Sequence, residues 1–185
     1  MSIHENFNFF LLIFSFACQY VEEPPNIKAP MEKLVLTNTI RWLKADKELY
    51  ACGWGGGGKD KIRMLALSFF YHKPVKTIEH GRDLLVSAIQ RFIGEIHKET
   101  RLHKYLEKNP FLPENIEIRI VIQDLNGSRF PSGELTVLSF IDGVLDYEIN
   151  GYKQYELISI HKETYEEALS KWKPVHDKLT SQAKS

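Results

Sequence analysis

Gly53-Trp54-Gly55-Gly56-Gly57-Gly58-Lys59-Asp60 is the stretch of this 185-residue chain whose residue types come nearest to chemistry. It fits G-x-x-x-x-G-K and departs at the next position. A phosphate-binding loop needs Ser or Thr there, because that hydroxyl binds magnesium. Asp60 would instead set a negative charge beside the phosphates. Such a loop must also open a helix, whose dipole favours the anion. Here it runs into Ile62 to Tyr71, a strand-like apolar stretch. Nucleotide binding is therefore not expected. Two readings of the loop remain. It is a flexible connection between strands, or its glycines let a backbone approach a ligand or partner closely, with Trp54 as a stacking face. On the second reading the binding residues are Trp54, Gly55, Gly56, Gly57, Gly58 and Lys59.

The other reactive side chains form no motif. His97 and His103 are six apart across an expected helix break, and the seven histidines do not cluster, so no metal site is expected. H-E-x-x-H, G-x-S-x-G and C-x-x-C are absent. Ser139 and Ser159 lack a nucleophile context. Glu163, Glu166 and Glu167 read as the solvated face of a helix, and Tyr147, Tyr152 and Tyr155 as cross-strand packing. No catalytic residue and no cofactor is assigned.

The elements that would carry these residues follow from periodicity. Met31 to Lys47 reads as a helix through Leu36, Ile40 and Leu43, with a strand over Leu34–Arg41 as the alternative. Glu48 to Trp54 reads as a short strand, 55–60 as a loop, and Ile62 to Tyr71 as a strand apolar on both faces. Ile78 to Lys98 is the strongest helix. Ile78, Leu85, Ile89, Phe92 and Ile96 make its stripe, Thr77 can cap it, and Glu79 suits its positive end. A short second helix is expected around Leu102–Leu106.

Ile116 to Gln123 alternates cleanly as a strand. Leu135–Ile141 and Val144–Ile149 flank Asp142-Gly143, and Asn150-Gly151 leads into Tyr152–Ile160, which predicts a three-strand meander. A closing helix over Glu163–Trp172 is expected to stop at Pro174. The expected class is α+β: a largely antiparallel sheet of five to six strands, with the long helix and a C-terminal helix on one face and no parallel crossover.

The N-terminus says where the chain goes. Phe7 to Ala17 is an eleven-residue apolar run ending at Cys18, after which the composition turns polar. A membrane span needs ~20 apolar residues and a signal core ~7–15. Ser15 and Ala17 stand at −3 and −1 to Cys18, which suits cleavage before it. The preferred reading is lipidation of Cys18, giving an envelope domain anchored in a membrane. Plain secretion, with a Cys18–Cys52 disulfide, and a short buried N-terminal element are the alternatives. The expected plan is a signal over 1–17, a tether over 18–30 carrying Pro24, Pro25 and Pro30, one domain over 31–174 and a loose tail over 175–185. Basic and acidic residues balance at 24 each, so no field for nucleic acid is expected.

Cys52-Gly53-Trp54-Gly55-Gly56-Gly57, Ala66-Leu67-Ser68-Phe69, Tyr105-Leu106-Glu107-Lys108-Asn109-Pro110-Phe111, Asn115 to Ile120 and Glu163 to Ala168 together resemble a family of uncharacterised exported bacterial proteins of the Legionella and Chlamydia type. The resemblance spans about residues 31–172. It implies one domain and an envelope location. The family has no assigned activity, so it lends no catalytic residues. The function expected from all this is binding or scaffolding of a protein or small molecule, without chemistry. The alternatives are an enzyme acting on envelope material and a secreted effector that binds a host protein.

Overall fold

A computed structural model of the chain describes residues 30–131, 133–153 and 156–182. The expected signal, Cys18, most of the tether and Tyr155 lie outside the described residues. Three helices, α1 (Pro30–Lys47), α2 (Ile78–Lys98) and α3 (Tyr165–Gln182), accompany six strands. These are β1 (Tyr50–Gly57), β2 (Met64–Tyr71), β3 (Ile116–Ile122), β4 (Leu135–Ile141), β5 (Val144–Asn150) and β6 (Leu157–Thr164). They form one sheet in the order β1-β2-β3-β4-β5-β6, and all neighbours are antiparallel except β2 and β3. The class is α+β, as the periodicity predicts.

α2 is a helix for the reasons legible in its sequence. Thr77 caps it, its Oγ1 accepting from the His80 amide at 3.2 Å. Leu84, Leu85, Ala88, Ile89, Phe92 and Ile96 are buried along one stripe. They share a core with Ile116, Ile118, Ile120 and Ile122 of β3, whose alternating partners Glu117, Arg119 and Val121 are less buried. At the β4–β5 turn Asp142 and Gly143 adopt φ of 50° and 79°. Positive φ at both central residues matches the twist of a tight hairpin.

Five expectations need correction. α1 is a helix through Thr37, Asn38 and Thr39, so the strand alternative over Leu34–Arg41 fails. Thr39 is tolerated because its hydroxyl donates to the Val35 carbonyl at 2.8 Å. The glycine stretch is not a loop: Gly55, Gly56 and Gly57 extend β1 and pair with Ala66, Leu65 and Met64. α2 is a parallel crossover, since β2 and β3 run side by side in the same direction over Leu65–Tyr71 and Ile116–Ile122. Asn150-Gly151 makes no two-residue hairpin: β6 begins at Leu157, opposite Asn150. Lastly, α3 starts at Tyr165 and passes through Pro174 to Gln182. Proline removes one helical hydrogen bond and need not end a helix. The expected loose tail is thus helical as far as Gln182.

Candidate functional site

Helices α1, α2 and α3 all pack on one face of the sheet, and among the described residues no helix covers the other. The predicted binding residues divide between the two faces. Cross-strand partners share a face. Trp54 lies opposite the buried Leu67, and Gly56 opposite the buried Leu65, so both face the helices. Trp54 is half-buried against the core. A Cβ on Gly56 would stand 3.5 Å from Glu32 Oε1 of α1. Gly55 and Gly57 point to the open face. Gly58 and Lys59 form the exposed turn after β1. Gly58 has φ +138°, and a Cβ there would meet the Lys61 carbonyl oxygen at 1.8 Å, so only glycine fits. Trp54 and the open-face glycines therefore do not form one stacking surface.

A second constellation escaped the sequence reading. Glu163 is not on a solvated helix face. It is the penultimate residue of β6, with its side chain 1% exposed. Arg82 of α2 donates to it twice, Nε to Oε1 at 2.7 Å and Nη2 to Oε2 at 3.1 Å. Tyr147 Oη of β5 donates to Oε1 at 2.7 Å, and Lys171 Nζ of α3 donates to Oε2 at 2.8 Å. His161 Nε2 lies 3.7 Å from Oε2, its ring against that of Tyr147. Burial opposes ionisation of Glu163, but the hydrogen bonds from Arg82, Lys171 and Tyr147 outweigh it and hold the carboxyl at about 2. Burial and the same carboxylate push the Tyr147 hydroxyl far up.

A general acid or base works best with a pKa near the operating pH and an unoccupied lone pair or proton. Glu163 has neither, so this cluster is a structural post joining α2, β5, β6 and α3. A local signal did exist. Thr164-Tyr165-Glu166-Glu167 is a capping box: the Glu167 amide donates to Thr164 Oγ1 at 3.3 Å and the Thr164 amide to Glu167 Oε2 at 3.0 Å. That motif starts the helix at Tyr165 and leaves Glu163 on the strand.

Asp83 makes a similar joint. Its Oδ2 accepts from Lys47 Nζ at 2.9 Å and its Oδ1 from Trp172 Nε1 at 2.8 Å, tying α1, α2 and α3 together. Burial pulls its carboxyl up, but bonds from Lys47 and Trp172 leave it below the usual range.

The open face is differently made. Register places Gly53, Ser68, Arg119, Ser139, Asp146 and Lys162 in one row across all six strands. Lys162 Nζ reaches Asp146 Oδ2 at 2.7 Å, and Ser159 Oγ donates to Asp146 Oδ1 at 2.5 Å. Burial pushes the carboxyls of Glu117 and Glu148 up, with Asp142 and Asp146 respectively adding to the effect, while Arg119 opposes both. Toward β1 the face flattens. Gly55 lies beside Ala66, and Gly57 beside Met64. A Cβ on Gly55 would meet nothing nearer than 3.9 Å and one on Gly57 nothing nearer than 3.6 Å. The fold itself thus has room for a side chain at both. This face can receive a partner's backbone closely over the glycines and pair polar groups along the row.

Among the described residues no group of three or more His, Cys, Asp and Glu side chains is placed to hold a metal ion. Among them, too, no helix is long and apolar enough to cross a membrane. No family model matches the chain, and no curated protein or solved structure matches it.

Proposed function

We propose that the protein is a membrane-anchored binding domain that acts through the open face of its sheet and performs no chemistry of its own. One observation carries the binding surface: Gly55 and Gly57 stand where the chain's own packing leaves space for a side chain. Glycine in a strand is entropically costly and loses side-chain packing, and it often marks close approach of another backbone. Ser68 and Arg119 supply polar groups beside that floor.

The test is a photo-crosslinking amino acid placed at Ser68 in cells, with Gly55→Val and Gly57→Val introduced together. A discrete adduct at Ser68, absent from a control crosslinker at exposed Glu79 and lost in the double variant, supports the reading. An equal adduct from both positions, or one indifferent to the glycine changes, overturns it.

The anchor rests on the apolar run Phe7–Ala17, the small residues Ser15 and Ala17, and Cys18. Mass spectrometry of the membrane-bound protein should find a diacylglyceryl-modified Cys18 as first residue. An intact Met1 terminus on that protein would end this part of the proposal.

A further inference from the structure

The chain is neutral in total, with 24 basic and 24 acidic residues, yet the fold joins two short basic segments at one end. The β1–β2 turn is hydrogen-bonded to a segment some forty residues later. The Ile62 amide donates to the Tyr105 carbonyl at 2.8 Å, and the Glu107 amide donates back to the Ile62 carbonyl at 2.9 Å. This joins Lys59, Lys61 and Arg63 to Arg101, Lys104 and Lys108, and all six are exposed. Residues 59–63, 101–108 and 112–115 hold three acids, Asp60, Glu107 and Glu114, against these six cations. Arg101 is paired with Glu99 at 2.6 Å. No ion pair is present for Lys59, Lys61, Arg63, Lys104 or Lys108 among the described residues. Lys104 Nζ instead lies 4.9 Å from the centre of the Tyr105 ring.

Two apolar side chains project at the same end. Tyr105 is 38% exposed and Leu112 is 45% exposed. Leu112 is held beside Arg63 through Asn115, whose Oδ1 accepts from the Leu112 amide at 3.1 Å and whose Nδ2 donates to the Arg63 carbonyl at 3.2 Å. Cations around an aromatic and an aliphatic tip suit the headgroup region of a membrane.

The chain's exit lies here too. α1 runs back along β1, so its first turn lies by the last residues of that strand, where Glu32 Oε1 is within reach of Gly56. Eleven residues separate Cys18 from Pro30. Fully extended they span at most ~40 Å. A lipid on Cys18 would therefore keep this end within ~40 Å of the bilayer.

We infer that the basic end formed by Lys59, Lys61, Arg63, Lys104 and Lys108 docks on an anionic phospholipid surface, with Tyr105 and Leu112 entering the headgroup layer. This orients the domain. The inference rests on the proposed anchoring at Cys18, but the patch itself is testable without the lipid.

The experiment uses the full, unacylated chain and sedimentation with vesicles of phosphatidylcholine alone or with one-third phosphatidylglycerol. The expected result is at least ~10-fold stronger partitioning onto the phosphatidylglycerol vesicles at low salt, because each cation near an anionic surface adds to affinity and salt screens it. The advantage should vanish at ~0.5 M salt, where screening is short-ranged. It should also vanish in the triple variant Lys59→Glu, Lys61→Glu, Lys104→Glu, whose fold is checked by circular dichroism. The apolar run Phe7–Ala17 is present in every sample, so the difference between vesicles reports the patch. Tyr105→Ser with Leu112→Ser should weaken partitioning without changing its salt dependence.

Equal partitioning onto both vesicles, or a triple variant that keeps the advantage, overturns the inference. So does binding to single-stranded RNA as strong as binding to the vesicles, since that marks an unspecific polyanion site. Failure of the anchor reading is seen separately, as an unmodified Cys18 in the mass spectrum of the cell-derived protein.

Discussion

Arg82 and Glu163 stand 81 positions apart and meet through two parallel hydrogen bonds of 2.7 and 3.1 Å, with both side chains almost wholly out of water. A guanidinium and a carboxylate in this fork arrangement give each other geometry as well as charge. Through them the second turn of α2 is locked to the end of β6, and Lys171 carries the lock to α3. The pair closes the sheet against its helices at the edge farthest from the glycine strand.

Removing one partner leaves the other buried without its counter-charge, which typically costs ~3–5 kcal/mol. Arg82→Met should fall at the lower end, because Tyr147 and Lys171 still donate to Glu163. Urea unfolding of the variant measures it. A loss within ~0.5 kcal/mol, the size of a surface change, would mean that the pair contributes nothing.

Acid should undo this lock. The Glu163 carboxyl is held at about 2, below its ordinary 4.5. The unfolded chain therefore takes up this proton at higher pH than the folded one. Its stabilisation is complete above about pH 4.5 and is lost as pH falls through about 2. Asp83 and Glu95, also held below the usual range, act in the same direction. Glu163→Gln should lower stability at neutral pH and flatten the decline from about pH 5 to about pH 2. An unchanged slope in denaturation series across that range would assign the acid sensitivity to other carboxylates.

Two glycines of α2 should respond oppositely to alanine. A Cβ on Gly81 would meet Leu138, Leu135 and Tyr147 at 3.1–3.2 Å, so the first turns of α2 seat directly on β4 and β5. Gly81→Ala must push these side chains, at a cost of ~1–3 kcal/mol. Gly94 has nothing within 4 Å of its would-be Cβ. Gly94→Ala should stabilise by ~0.5–1 kcal/mol, the helix-propensity difference. Thermal unfolding of both separates the cases, and a Gly81→Ala variant no less stable than the parent would refute the seating of Gly81.

Phe92 is fully buried in the core that α2 shares with β3. Phe92→Ala should cost ~3–5 kcal/mol in urea unfolding. A near-neutral effect would mean that this helix face is not the one turned to the sheet.

What the sequence determined by itself is what repeats locally. The stripe Leu85, Ile89, Phe92, Ile96 and the cap Thr77 specify α2, the alternation Ile116, Ile118, Ile120, Ile122 specifies β3, and Asp142-Gly143 specifies a tight hairpin. Each signal lies within a single element, so side-chain period and backbone preference suffice to read it. The tertiary structure alone decided which distant residues meet. The parallel pairing of β2 with β3 depends on where α2 returns the chain. Gly55–Gly57 become strand because Ala66, Leu65 and Met64 are there to pair with them, against the preference of glycine for turns. Glu163 looks like one more acid beside Glu166 and Glu167, and only the arrival of Arg82, Tyr147 and Lys171 makes it a buried post. The basic end is invisible in a neutral composition, because two short segments some forty residues apart share it only once Ile62 and Tyr105 are hydrogen-bonded. Charge and hydrogen-bond partners act through space, and spacing along the chain does not encode them.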